Sequence, residues 1–217
     1  MNMKKDKYKI YKNKKELIEK LINPDDVVLD VGFWGQGIGV SDKNWVHNLL
    51  LNCSRNVYGL DLDFDIKKLN NKENYQKANA ENFNFDIKFD IIFSGDLIEH
   101  LSNPGLFLES CSRNLKKGGK LILATPNCFN FFNITEKISK LEPTVNKDHT
   151  CYFNKKTLKK LLEKNNWKVD KIAFLYSLDV NYKESFKKKI LNIFYYLLSK
   201  ITSKYITTLI IVVKYEK

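Results

Sequence analysis

The sequence predicts an α/β fold: a doubly wound, seven-stranded, mostly parallel sheet in a three-layer sandwich. Three observations carry this. Apolar runs of strand length alternate with stretches of helical periodicity, the pattern of βαβ units. The first strong run, Val27–Val31, enters a glycine-rich turn, and the second, Val57–Leu60, ends at Asp61. Two further apolar runs, Val169–Tyr176 and Thr207–Tyr215, close the chain, and they are expected to pair at the sheet edge with the final strand antiparallel.

Taken in order, Glu16–Ile22 reads as a short entry helix and Val27–Val31 as the first strand. Helical periodicity resumes over Asn44–Leu51, where Trp45 and Leu49 share a face, and Val57–Leu60 is the second strand. Tyr75–Lys77 reads as a short strand and Phe89–Ser94 as the fourth. Asn103-Pro104 is a helix start, with asparagine as cap and proline in the first turn. Leu106, Cys111 and Leu115 follow on one face, and Gly118-Gly119 is read as the stop. Lys120–Thr125 is the fifth strand, and Lys155–Asn165 is a helix turning Leu158, Leu161 and Leu162 inward. Residues 182–205 read as a helical insertion between the last two strands of a single domain spanning 1–217.

At 217 residues the chain is long enough for one α/β domain with a sizeable core. No apolar stretch follows a basic start, and no run approaches the ~20 apolar residues that span a bilayer. A cytoplasmic protein is expected. The four cysteines are scattered, which suits reduced thiols rather than a disulfide frame or a zinc site. The net charge of +12 invites a nucleic-acid reading, but Arg55 and Arg113 are the only arginines. Arginine is the favoured side chain for bidentate phosphate and base contacts, so the lysines are read as a solvated surface and nucleic acid is not the expected partner.

A glycine-rich turn after one strand and a carboxylate at the tip of the next is the arrangement that cradles an adenosine cofactor, the carboxylate accepting from ribose hydroxyls. The order of motifs then resembles that of class I S-adenosylmethionine-dependent methyltransferases. The matching segments are Val-Leu-Asp-Val-Gly at 28–32, Gly-Leu-Asp at 59–61 and Asn-Ala-Glu at 79–81. Phe-Asp-Ile-Ile-Phe-Ser-Gly-Asp-Leu-Ile-Glu-His-Leu at 89–101 and Leu-Lys-Lys-Gly-Gly-Lys-Leu-Ile-Leu-Ala-Thr-Pro-Asn at 115–127 complete the set. Trp-Val-His at 45–47 and Asp-His-Thr-Cys-Tyr-Phe at 148–153 resemble a narrower group associated with surface-glycan or lipid-linked saccharide pathways.

The resemblance implies S-adenosylmethionine as cofactor. It implies that Asp30, Gly32, Gly35 and Gly37 build the turn around the methionine moiety, that Asp61 holds the ribose and that Leu62 packs on adenine. Ala80 and Glu81 would lie beside the adenine amine, and Ser94 and Gly95 would offer backbone to the methionyl end. The departure from the family pattern is that Phe33 and Trp34 intervene in the first motif as if one residue were inserted, which leaves open which of Gly35, Gly37 and Gly39 meets cofactor, and whether Trp34 walls the pocket or only packs.

Methyl transfer from a sulfonium is an in-line displacement, so holding the nucleophile in line matters more than a fixed catalytic signature. A general base is useful where the acceptor must lose a proton. The candidates are His100, after the fourth strand, and His149, in the loop after the fifth; His47 is read as structural, and Asp96 and Glu99 as hydroxyl-orienting or helix-capping groups. No metal site is expected. A small-molecule, saccharide or lipid-linked acceptor is the expected substrate. A nucleic-acid methyltransferase and a cofactor-binding protein without catalysis are the alternatives. A nicotinamide-dependent reductase is disfavoured by the aspartate before the first glycine. Phe186, Ile190, Ile193, Phe194, Leu197 and Ile201 make an apolar stripe with lysines largely off it. That stripe, within 183–205, suits packing on the sheet, a homodimer contact, or a lid that covers a lipid-linked acceptor or makes a peripheral contact with an anionic membrane.

Overall fold

The computed structural model describes residues 8–34, 42, 44–134, 146–176, 194–197 and 206–216. The strands are β1 (Lys9–Tyr11), β2 (Val27–Val31), β3 (Asn56–Asp61), β4 (Tyr75–Lys77), β5 (Phe89–Gly95), β6 (Leu115–Pro126), β7 (Trp167–Leu175) and β8 (Thr208–Tyr215). The helices are α1 (Lys14–Leu21), α2 (Val46–Cys53), α3 (Pro104–Asn114) and α4 (Lys155–Lys164). The sheet order is β1-β7-β8-β6-β5-β2-β3-β4. Every pairing is parallel except those of β8, which runs antiparallel to both β6 and β7.

The expected sheet is therefore present, with an eighth strand among the described residues. Lys9–Tyr11 pairs with Ala173–Leu175 and covers the edge that the final pairing would otherwise leave open. A run this short carries no period-two signal to read; its backbone is recruited by the exposed edge of β7. A second difference lies at the glycine pair. The helix ends at Asn114, and Gly118-Gly119 sits inside β6, where the β5–β6 register shifts. Gly118 takes φ +81, and a Cβ on Gly119 would come within 3.0 Å of the Phe89 carbonyl oxygen. These glycines form a strand irregularity rather than a helix stop.

The strands bury both faces by alternation. Leu29 and Val31, Leu121 and Leu123, and Leu209 and Ile211 point to the face covered by Phe107, Leu108 and Cys111 of α3 and Leu158 and Leu162 of α4. Val28, Ile122, Ala124 and Ile210 point to the other face, against Leu17 and Ile18 of α1 and Leu50 of α2. This makes three layers. The helix starts are fixed locally: the Asn103 side chain accepts from the Leu106 N–H, and Asn154 and Thr157 form a reciprocal capping box. No helix among the described residues is long and apolar enough to cross a membrane. The helical insertion expected at 182–205 lies outside the described residues, apart from a helical turn at 194–197.

The chain runs from β2 outward to β3 and β4, and then returns to place β5 on the opposite side of β2. That reversal opens a crevice at the carboxyl ends of β2 and β5, where ligands bind in open α/β sheets.

Candidate active site

The cofactor half of the crevice is built by the carboxyl ends of β2 and β3. After Val31 the chain turns at Gly32, whose φ of +79 is a left-handed conformation. Its N–H is held by the Leu60 carbonyl at 2.8 Å. A Cβ there would press on the Leu97 side chain at 3.3 Å, so a glycine keeps this turn open. Gly35, Gly37 and Gly39 lie outside the described residues.

Asp61 ends β3, and its Oδ2 accepts from the Trp34 N–H at 3.0 Å. Burial raises its pKa above the ordinary carboxylate value, against the backbone N–H groups that lower it. The acid is thus oriented and partly desolvated. Leu62 beside it is 71% exposed, free to pack on a flat base. Ala80 is buried. Glu81 accepts from the Asn103 N–H at 2.8 Å through Oε1, so its carboxylate is engaged at the start of α3. Ser94, near the end of β5, is buried, and its hydroxyl has no hydrogen-bond partner. Gly95 follows it in the β5–β6 pairing, opposite Ala124.

Asp30 faces inward rather than toward the crevice. His47 Nδ1 meets its Oδ2 at 3.0 Å, and His47 Nε2 meets the Tyr75 hydroxyl at 3.0 Å. Phe33 lies against His47, Tyr75 and Phe64, with ring centroids 4.9, 5.2 and 5.0 Å away. The Trp45 indole N–H donates to the Phe33 carbonyl at 2.7 Å. The inserted Phe33 and Trp34 are therefore explained by packing: the turn after β2 is clamped from beneath by aromatic rings. A Cβ on Gly59 would come within 2.7 Å of Tyr75 and 2.9 Å of Phe33, so that cluster fits only over a bare strand. The separate signals Trp-Val-His at 45–47 and Tyr75 belong to this one cluster, which linear spacing does not reveal.

The other half of the crevice lies at the ends of β5 and β6. Asp96 turns the chain at φ +52, its N–H held by the Ala124 carbonyl at 2.8 Å. The following turn buries Glu99, whose Oε2 accepts from the Thr125 hydroxyl at 2.9 Å. The loop carrying His149 is tied back onto this turn. Thr150 donates its N–H to the Glu99 carbonyl at 2.8 Å and its hydroxyl to the Leu101 carbonyl at 2.7 Å. His100 and His149 meet edge to face at 4.6 Å between centroids. The two histidines singled out in the sequence are thus neighbours, brought together from separate segments.

A cavity of about 180 Å³ opens here, lined by Glu99, Cys128, Asn130, Asn133, His149 and Tyr152 among others. Burial, and then the neighbouring His100, depress the His149 pKa. Burial, and then Asp96, push Glu99 up to about 7. Among the described residues, the donor atoms of Glu99, His100 and His149 lie within 4.8 Å of one another, a spacing that permits proton exchange or a shared cation. Glu99, expected to orient a hydroxyl or cap a helix, is buried and lines this cavity. All four cysteines are free thiols.

A model of the family described as methyltransferase domain matches residues 4–172. A protein of Mycolicibacterium smegmatis named as a probable S-adenosylmethionine-dependent methyltransferase is 28% identical over 149 residues, covering 66% of this chain and 52% of that protein. The chain thus spans about half the length of that relative. A ubiquinone biosynthesis O-methyltransferase of Colwellia psychrerythraea is 26% identical over 185 residues, 73% of this chain and 72% of that protein. Among solved structures, a SAM-dependent methyltransferase of Archaeoglobus fulgidus superposes with TM-score 0.53 at 19% identity, covering 92% of this chain and 94% of that one. Magnesium protoporphyrin IX methyltransferase of Synechocystis, with bound SAH, gives TM-score 0.54 at 13% identity, covering 89% and 75%.

Proposed function

The chain belongs to the methyltransferase domain family, and on that premise we propose that it transfers the methyl group of S-adenosylmethionine to a hydroxyl of a saccharide or lipid-linked acceptor. The observation that carries this reading is the cavity at the ends of β5 and β6, where Glu99 and His149 face a wall of asparagines and an aromatic rim. Asparagine amides and imidazole suit hydroxyl groups, and Tyr152, exposed at the rim, suits the apolar face of a sugar or quinol ring. Relatives named ubiquinone biosynthesis O-methyltransferase are a precedent for oxygen as the accepting atom.

When bound, S-adenosylmethionine supplies a methyl group already activated by its sulfonium charge. The residues present fit it: Asp61 for the ribose, Leu62 for the base, Gly32 for the close approach of the backbone, and the unpartnered Ser94 hydroxyl beside the methionyl end. His149, whose pKa burial and His100 depress, would be the group to take the proton of an acceptor hydroxyl during transfer. His100 packs edge to face on His149 and fixes its ring. The aromatic cluster around Phe33 supports the start of the turn, which would help methyl and oxygen to meet in line.

The domain is taken to span 1–217, with the insertion at about 182–205 serving as a peripheral contact for a lipid-linked acceptor. Supporting this, Phe194 is 54% exposed beside Phe131, their centroids 5.6 Å apart. The test is incubation of the purified chain with S-adenosylmethionine and a panel of sugars, quinols and lipid-linked saccharides, with methylated product read by mass spectrometry. Methylation of nucleic acid, or of nothing in the panel, would overturn the acceptor class.

A further inference from the structure

His149 is tied down through both of its chain neighbours. The residue before it, Asp148, offers its carbonyl to His100 Nδ1 at 3.2 Å. A carbonyl only accepts, so Nδ1 carries the proton and donates it. The residue after it, Thr150, donates its N–H to the Glu99 carbonyl at 2.8 Å, and the Cys151 N–H reaches the same oxygen at 3.3 Å. The Thr150 hydroxyl lies 2.7 Å from the Leu101 carbonyl and 3.0 Å from that of Glu99. All these contacts end on residues 99–101, the turn that follows β5. The imidazole between them is set edge to face on His100, with 4.6 Å between centroids, in the lining of the cavity.

The backbone share of this latch is open to almost any residue. Two N–H groups that share the Glu99 oxygen make a single hinge point after His149. The hydroxyl bond to Leu101 adds a second point and so fixes the direction of the chain there. The tie on the other side runs through the His100 ring and moves with it. Threonine suits the task because its branched Cβ restricts the rotamer that aims the hydroxyl. We propose that Thr150 is a positioning residue for methyl transfer, its hydroxyl fixing the direction in which His149 faces the acceptor. This rests on the reading of His149 as the group that takes the acceptor proton. In-line transfer is sensitive to such placement, because a small displacement of the proton acceptor costs rate without weakening the cofactor.

The test compares Thr150→Val, which keeps the shape and the backbone bonds, with Thr150→Ser, which keeps the hydroxyl. The chain has three histidines, so a full chain labelled at histidine gives few imidazole signals in NMR. His47, buried against Asp30, reports whether the core is intact. The wild type should show a ring-proton cross-peak between His100 and His149. Thr150→Val should lose it with the His47 signals unmoved, and Thr150→Ser should keep it. On the panel of sugars, quinols and lipid-linked saccharides, Thr150→Val should lower kcat about three- to tenfold, the scale of one hydrogen bond. Its affinity for S-adenosylmethionine should stay at the wild-type value, and Thr150→Ser should restore most of kcat. A cross-peak that survives Thr150→Val would overturn the proposal, whatever turnover does. So would a loss that serine does not repair, since shape rather than the hydroxyl would then hold the loop. Loss of the cross-peak with kcat unchanged would instead remove His149 as the proton acceptor.

Discussion

His47 Nδ1 and Asp30 Oδ2 meet at 3.0 Å in a site closed to solvent, joining α2 to the core strand that feeds the cofactor turn. Asp30 stands in the first motif, yet its carboxylate is spent on holding the scaffold. Removing one partner leaves a buried polar group unpaired. His47→Leu should therefore lower the unfolding free energy by about 3 kcal/mol. Adding Asp30→Asn should recover part of that, because the amide is cheaper to bury than a lone carboxylate. Denaturant unfolding of the two single variants and the double variant gives the coupling. Additive losses would show that the pair is not coupled.

Asp61 presents its carboxylate at the tip of β3 with one oxygen oriented by Trp34. Asp61→Ala should weaken S-adenosylmethionine by roughly 1.5–3 kcal/mol, the scale of a charge-assisted hydrogen bond. Calorimetry reads this directly, and unchanged affinity would reject the ribose role.

His149 should separate turnover from cofactor binding. Its pKa is depressed by burial and by His100, so the neutral base persists to lower pH than for a free histidine. Turnover should therefore hold at neutral pH and fall only as pH drops below about 6.5, the ordinary histidine value. His149→Ala should cut turnover on the true acceptor and abolish that acid limb, while cofactor affinity stays near wild type. A pH–rate profile with the same acid limb in the variant would assign the proton to another group.

Glu99 leaves a signature in stability. Its folded pKa, about 7, lies above the value of 4.5 for an unperturbed glutamate. Below pH 4.5 both folded and unfolded states carry the proton, and stability is unaffected. As pH rises between the two values the unfolded chain ionises first, so the folded state loses stability, and the loss is complete above pH 7. Glu99→Gln should thus raise the thermal midpoint of the unliganded protein at pH 8 and change it little at pH 4.5. Equal shifts at both pH values would mean that the charge is not what costs stability.

The alternation of strands and helices and the position of Asp61 are legible in the chain alone, because each is encoded locally: in apolar runs of strand length such as Val27–Val31, in caps such as Asn103-Pro104, and in a strand ending on an acid. The pairing of His100 with His149 was legible only as two candidates in separate segments; Thr150, bonded to the Glu99 carbonyl, is what joins them. Tertiary structure alone decided the rest. It took Lys9–Tyr11 as an edge strand because β7 offered an unpaired backbone. It turned Asp30 inward because His47 and Tyr75, distant in sequence, converge beneath it. It made Glu99 a buried acid rather than a helix cap because β6 places the Thr125 hydroxyl against it. Burial and partnership are long-range properties: they depend on which segments the sheet order brings together, and no local window of sequence contains that information.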